Sequence, residues 1–188
     1  MKFLITGALG HIGSYITRYF SKKYPKSEII ILDNLMTQRF NSLFNLPGDS
    51  KYQFIESDIR DIELEDILKN CDYCFHLAAI TDAAGSFNMA EEVEKNNFEC
   101  TKKIALECAK THTKLITLSS TSVYGTQNEV VDEDCLDNEL NPQSPYAETK
   151  LKEESFIKDL VLSGKLESVI LRFGTIYGIS PGMRFQTA

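Results

Sequence analysis

Tyr146 and Lys150 stand four residues apart in Pro145-Tyr146-Ala147-Glu148-Thr149-Lys150, and on a helix that spacing puts two side chains on one face. An ammonium beside a phenol favours the phenolate and draws a tyrosine pKa of about 10 toward neutrality. A tyrosine so placed can move a proton at a carbinol or a carbonyl. Upstream lies the hydroxyl run Ser119-Ser120-Thr121-Ser122, followed by Val123-Tyr124-Gly125. A serine at the end of a strand there can hold the same substrate oxygen. Taken alone, Tyr-x-x-x-Lys also describes a core aromatic next to a solvated lysine, so the reading depends on whether the chain supplies a hydride acceptor.

The N-terminus supplies a place for one. Met1-Lys2-Phe3-Leu4-Ile5-Thr6 is a short apolar, β-branched run that breaks into Gly7-x-x-Gly10-x-x-Gly13. A helical pattern follows from Ile12 to Lys23, so the glycines occupy a strand-to-helix turn. Gly7 suits the tight turn, Gly10 leaves the backbone open to a pyrophosphate, and Gly13 allows the helix to pack closely on its strand. The first amides of that helix, around His11 and Ile12, present unpaired N–H groups and a positive dipole end to phosphates. The second apolar run, Glu28 to Leu32, ends in Asp33, twenty residues after Gly13. A carboxylate there accepts from both ribose hydroxyls of an adenosine and repels a 2′-phosphate, which makes NAD the expected cofactor over NADP.

These residues need a frame to hold them. Strand patterns near 2–6, 28–32, 52–56, 73–77, 114–119 and 167–173 alternate with helical patterns near 11–23, 61–69, 88–110 and 145–163. That alternation predicts an α/β fold with a doubly wound parallel sheet, three layers deep, and a ligand crevice at the carboxyl ends of the strands. Segments 34–50 and 125–144 are expected as loops over or beside that crevice. After the third strand, Asp58-Ile59 either meets an adenine, with the carboxylate on its exocyclic amine and Ile59 against the ring, or caps the helix starting near Asp61. After the fourth, the small Ala78 and Ala79 would let backbone approach a nicotinamide ribose.

With 188 residues the chain suits one domain. The net charge of -7 and the absence of a basic stripe argue against nucleic acid. No apolar stretch reaches the roughly 20 residues that span a bilayer, and the N-terminus lacks a signal-peptide core, so no membrane association and a cytoplasmic location are expected. Five cysteines, at 71, 74, 100, 108 and 135, form no zinc pattern and are expected to be reduced and mostly buried; no metal site is expected. Cys71-Asp72-Tyr73-Cys74 could be a redox pair, but Cys74 leads into the apolar run through Ile80.

Jointly, the motifs resemble the extended short-chain dehydrogenase/reductases, the NAD-dependent epimerase/dehydratase group, over essentially the whole chain. The residues that carry the likeness are the three glycines, Asp33-Asn34-Leu35, Asp58-Ile59-Arg60-Asp61, His76-Leu77-Ala78-Ala79, Asn97 with Thr101, Ser119-Ser120-x-x-Val123-Tyr124-Gly125, Tyr146-x-x-x-Lys150 and Leu171-Arg172-Phe173. The resemblance implies that Ser120 is the catalytic hydroxyl, Tyr146 the acid/base and Lys150 the residue that also holds the nicotinamide ribose. It also puts Asn34, Leu77, Asn97 and Tyr146 among the cofactor contacts, and makes helices 88–110 and 145–163 the contact of a homodimer. In the dehydratases an Asp-Glu pair follows the catalytic hydroxyl, and related decarboxylases keep a Glu two residues before the Tyr. Here the residues after Ser120 are Thr121 and Ser122, so dehydration and decarboxylation are not expected.

The leading expectation is therefore an NAD-dependent, nucleotide-sugar epimerase-like enzyme that transiently oxidises a sugar hydroxyl. A cofactor-holding domain without turnover and an NAD-dependent sugar dehydrogenase or reductase are the alternatives. Family members continue beyond this point with a nucleotide-sugar lobe, and the chain is read as an NAD-binding domain over 1–188, with about 174–188 beginning a substrate region most of which is absent. Gly174-Thr175 stand where the family commonly has an Asn that reaches the substrate.

Overall fold

The computed structural model describes residues 1–81, 87, 90–127 and 130–183. Two expectations fall partly outside them: residues 88–89 of the third helix, and Phe185-Gln186-Thr187-Ala188. The elements run β1 (Lys2–Thr6), α1 (His11–Lys23), β2 (Glu28–Asp33), β3 (Lys51–Glu56), α2 (Glu65–Leu68), β4 (Tyr73–His76), α3 (Ala90–Thr111), β5 (Lys114–Ser120), α4 (Pro145–Leu162) and β6 (Ser168–Phe173). All the strand pairs are parallel, in the order β3-β2-β1-β4-β5-β6. The order reverses between β1 and β4, and a crevice opens where neighbouring strands hand their chains to opposite faces.

Alternate residues of the central strands build the two halves of the core. Phe3, Ile5, Ile29 and Ile31 pack on one face with Ile16 and Phe20 of α1. Leu4, Ile30, Leu32, Cys74 and Leu115 pack on the other with Ile104, Cys108 and Ile157 of α3 and α4. Strands covered on both faces have no solvent side, which is why they read as continuous apolar runs instead of alternating ones. Along the first face, Phe3 stacks on Phe20 with ring centroids 5.0 Å apart, and Phe20 meets Phe75 at 4.8 Å.

The second helix is shorter than the sequence pattern over 61–69 suggests. The Asp58 carbonyl accepts from the Asp61 N–H at 3.1 Å and the Asp58 carboxylate from the Arg60 N–H at 2.9 Å, so the chain is held in a turn and helix begins only after Leu64. By contrast α4 starts where its sequence says it should, with Ser144 accepting from the Ala147 N–H at 3.2 Å and Pro145 in the first turn. Among the described residues no helix is long and apolar enough to cross a membrane.

Candidate functional site

At the carboxyl ends of the strands lies a cleft of about 590 Å³, within the range of small-molecule sites. Its floor is the turn from β1 to α1. Gly7 sits at φ +60°, and a Cβ there would stand 2.7 Å from the backbone of Ala78. A Cβ on Gly13 would stand 2.5 Å from the Gly7 carbonyl oxygen. The turn therefore closes against the end of β4 only with glycine in these two places. Gly10 caps α1 with extended backbone and no side-chain hydrogen bond, and the first turn holds no acidic residue. Its N–H groups are thus left for an anion, and the donor set fits a pyrophosphate.

Asp33, at the end of β2, fastens this turn from the side. Its Oδ2 accepts from the Leu9 N–H at 3.0 Å and its Oδ1 from the Leu35 N–H at 2.9 Å. Asn34 beside it donates to Asp58 at 3.1 Å. Asp58 is clasped by Arg60 through Nε and Nη2, each at 2.8 Å, and these bonds hold its carboxyl well below the usual range. An Arg60-bound carboxylate is a rigid rim, with Ile59 buried behind it.

The opposite end of the cleft carries Ser120, Tyr146 and Lys150. Ser120 ends β5, and its Oγ accepts from the Ser122 N–H at 3.1 Å and the Ser122 hydroxyl at 2.8 Å. Tyr146 and Lys150 lie one turn apart on α4, with Nζ 5.9 Å from the centre of the Tyr146 ring. Lys150 is buried and pairs with Glu153 at 2.9 Å. Burial disfavours its charge, but the Glu153 carboxylate and the Tyr146 oxygen outweigh that, and the net direction is upward.

Arg172 of β6 ties these parts together. It makes a forked pair with Glu154 of α4, at 3.0 and 2.7 Å, and lies 5.0 Å over the ring of Tyr124, in the 3-10 turn that follows Ser120. The cleft thus gathers Gly7, Gly10, His11, Ile12, Gly13, Asp33, Asn34, Asp58, Ile59, Leu77, Ala78, Ala79, Ser120, Tyr146 and Lys150.

Asn97 is not on this wall. Its Oδ1 accepts from the Ile80 N–H at 2.8 Å and its Nδ2 donates to the Ile80 carbonyl at 2.9 Å, so it clamps the loop that leaves β4, and Asn96 faces the cleft in its stead. Of the two long connections, 34–50 reaches the cleft through Met36, Thr37 and Arg39, whereas no described residue of 125–144 does. Arg39 was not singled out from sequence, because one arginine in a polar loop looks like solvated surface; its Nη1 is 3.8 Å from where a Cβ on Gly10 would stand. For the segment after β6, read from sequence as the start of a substrate region, no local signal gives its contact with α1. His11 Nε2 hydrogen-bonds the Gly178 carbonyl at 2.8 Å and the Gly182 N–H donates to Ser14 Oγ at 3.0 Å, so this segment straps the start of α1.

The cysteines are free thiols, four of them buried. Burial pushes Cys71 up to about 11 and Cys100 up to about 12, which leaves little thiolate for redox chemistry.

The family model described as NAD dependent epimerase/dehydratase matches residues 3–188. The chain belongs to the NAD-dependent epimerase/dehydratase family. It is 34% identical to a dTDP-D-glucose 4,6-dehydratase of Dictyostelium discoideum, over 94% of this chain and 44% of that protein. It is 32% identical to YtcB of Bacillus subtilis, described as an uncharacterized UDP-glucose epimerase, over 95% of this chain and 57% of that one. Among solved structures it resembles a UDP-glucuronic acid 4-epimerase from Bacillus cereus in complex with UDP-glucuronic acid and NAD, with TM-score 0.86 and 32% identity, covering 95% of this chain and 58% of that one. The chain thus spans about half the length of these relatives.

Within this family member, His76 closes the floor of the cleft from behind. Thr6 Oγ1 accepts from the Leu77 and Ala78 N–H groups, so its own hydrogen goes to His76 Nδ1 at 2.8 Å. The ring must then donate from Nε2 to Thr101 at 3.0 Å. Burial and the nearby Lys150 charge push His76 from an ordinary 6.5 down to about 3. As pH falls through 6.5 the unfolded chain takes up a proton that the folded chain refuses, so this group's contribution to stability is present above pH 6.5 and is lost on acidification. Between pH 7 and pH 4.5 it should cost about 2–3 kcal/mol. Urea unfolding at the two pH values should show that loss, and His76→Gln should remove it; an unchanged difference in the variant counts against the assignment.

Proposed function

We propose that this chain is the cofactor and catalytic half of an NAD-dependent nucleotide-sugar epimerase-like enzyme. The observation that carries the reading is the convergence of Ser120, Tyr146 and Lys150 on the same cleft as Gly7, Gly10 and Asp33. When bound, NAD supplies the acceptor for a hydride leaving a carbinol carbon. Its pyrophosphate would be held by the N–H groups at the start of α1, the adenosine ribose by Asp33 and the nicotinamide ribose by Lys150. The Ser120 hydroxyl and the Tyr146 phenolate hold the sugar hydroxyl between them. Tyr146 takes the proton as the alcohol becomes a ketone and returns it when the ketone is reduced on its other face. Ser144, Pro145 and the amides of the first turn of α4 put Tyr146 at a positive helix end, which together with Lys150 favours the phenolate. Epimerisation is preferred to dehydration because Thr121 and Ser122 stand beside Ser120, and among the described residues the only carboxylates on the cleft, Asp33 and Asp58, belong to its adenosine end.

Three outcomes follow. Asp33 is fixed by two backbone N–H groups and cannot swing away from a 2′-phosphate, so calorimetric titration should give NAD at least about tenfold tighter binding than NADP. Equal affinities would show that the carboxylate does not face the ribose. In the complete enzyme, Tyr146→Phe should cut turnover about 10²-fold or more while leaving NAD affinity within a few-fold. Product analysis on UDP-, GDP- and dTDP-sugars then separates the chemistries: inverted sugar with retained cofactor supports epimerisation, and free NADH supports a dehydrogenase.

We further propose a homodimer through the outer faces of α3 and α4, in keeping with the expected contact over helices 88–110 and 145–163. Val93, Ile104 and Ile157 belong to the chain's own core, and Phe98 meets Phe156 edge-on between the two helices at 6.0 Å. The contact therefore falls to outer residues such as Leu106, which is 38% exposed. Light scattering at micromolar concentration should give the mass of two chains; the mass of one, unchanged by NAD, overturns the dimer.

A further inference from the structure

Glu153 is the least expected charge in the molecule. It is 3% exposed, its Oε2 lies 2.9 Å from Lys150 Nζ, and among the described residues its Oε1 has no hydrogen-bond partner. Its neighbours on α4 find partners on other elements, Lys152 on Glu94 of α3 and Glu154 on Arg172 of β6. A buried ion pair gives a fold little net stability, because taking both charges out of water costs about what their attraction returns. The pair therefore needs a reason other than packing. Lys150 lines the cleft and Glu153 does not, so the carboxylate stands behind the ammonium on the side away from any ligand.

We propose that Glu153 is a positioning residue for the Tyr146–Lys150 pair: its carboxylate grips the ammonium from behind and keeps that cation charged and aimed at Tyr146 and the cofactor. This rests on the cofactor reading above. Without the counter-ion, Lys150 would be an isolated buried cation, and burial makes such lysines release their proton roughly 1–3 pH units early, which falls within the window from about pH 7 to 9.5. With Glu153 in place, the direction at Lys150 is upward in spite of burial. The titratable and charged groups facing this pair are Tyr146 and Glu154 on α4, His76 from the end of β4 and Cys100 from α3. His76, held down to about 3, and Cys100, pushed up to about 12, keep one form between pH 7 and 9.5.

The test is the pH dependence of NAD binding by calorimetry, in a Tyr146→Phe background so that Lys150 is the member of the pair that titrates. With Glu153 intact, affinity should vary less than about threefold between pH 7 and 9.5. With Glu153→Gln it should fall about tenfold or more as Lys150 loses its charge, and Glu153→Ala should behave likewise if the Gln variant does not fold. Glu153→Asp keeps the anion and should hold the profile closer to flat than Gln does. A purely structural Glu153 would lower affinity equally at every pH, and parallel profiles for Gln and parent overturn the proposal. Failure of the parent to bind NAD at all overturns the cofactor reading beneath it, a result distinct from parallel profiles.

Discussion

The site depends on one steric constraint, the contact between the turn after β1 and the end of β4. Gly7 lies against Ala78, and Gly13 lies against Gly7, with no room for a Cβ at either glycine. That contact lets the amide ends of α1 face the cleft without a side chain between. It also places Thr6 where its hydroxyl takes two N–H groups from the loop that leaves β4 and directs its proton to His76. Asp33 reinforces the same turn through Leu9. A carboxylate, a hydroxyl and a buried imidazole thus hold one backbone crossing, and the cleft is the space that the crossing leaves open.

A second set of interactions, centred on α4, brings the chemistry to that space. Within one stretch of this helix, Tyr146 and Lys150 face the cleft, Glu153 stands behind Lys150, and Glu154 reaches Arg172 of β6. Arg172 lies in turn over Tyr124, whose turn follows directly from Ser120. The hydroxyl at the end of β5 and the phenol on α4 are therefore set by a shared clamp at the sheet's edge. Its three parts are far apart in sequence, and a change in any one should be felt by the other two.

Strands, helices and their order were legible in the sequence because each signal is local. Apolar runs of strand length, the three-residue spacing of the glycines, the Ser144-Pro145 start of α4 and the four-residue spacing of Tyr146 and Lys150 depend only on the nearby backbone. The likeness to the family rests on the same local marks. The second helix was less legible, since its length is set by the Asp58 turn, in which a side chain competes with helical hydrogen bonding.

By itself, the sequence determined a parallel α/β sheet, the glycine turn, Asp33 at the end of β2 and the Tyr-Lys face, because these follow from period, propensity and spacing along one stretch of chain. Tertiary structure decided what each polar group faces. It assigned Asn97 to the Ile80 backbone and Thr101 to His76, brought Arg39 beside the glycine turn, laid the segment after β6 over the start of α1, and buried Glu153 behind Lys150. Glu153 stands three residues from Lys150 on α4, so spacing allows that pair and packing decides only its burial. The other four share one physical reason. A side chain's partner across the sheet is fixed by which strands are neighbours and which face a helix covers, and no spacing along the chain carries that information.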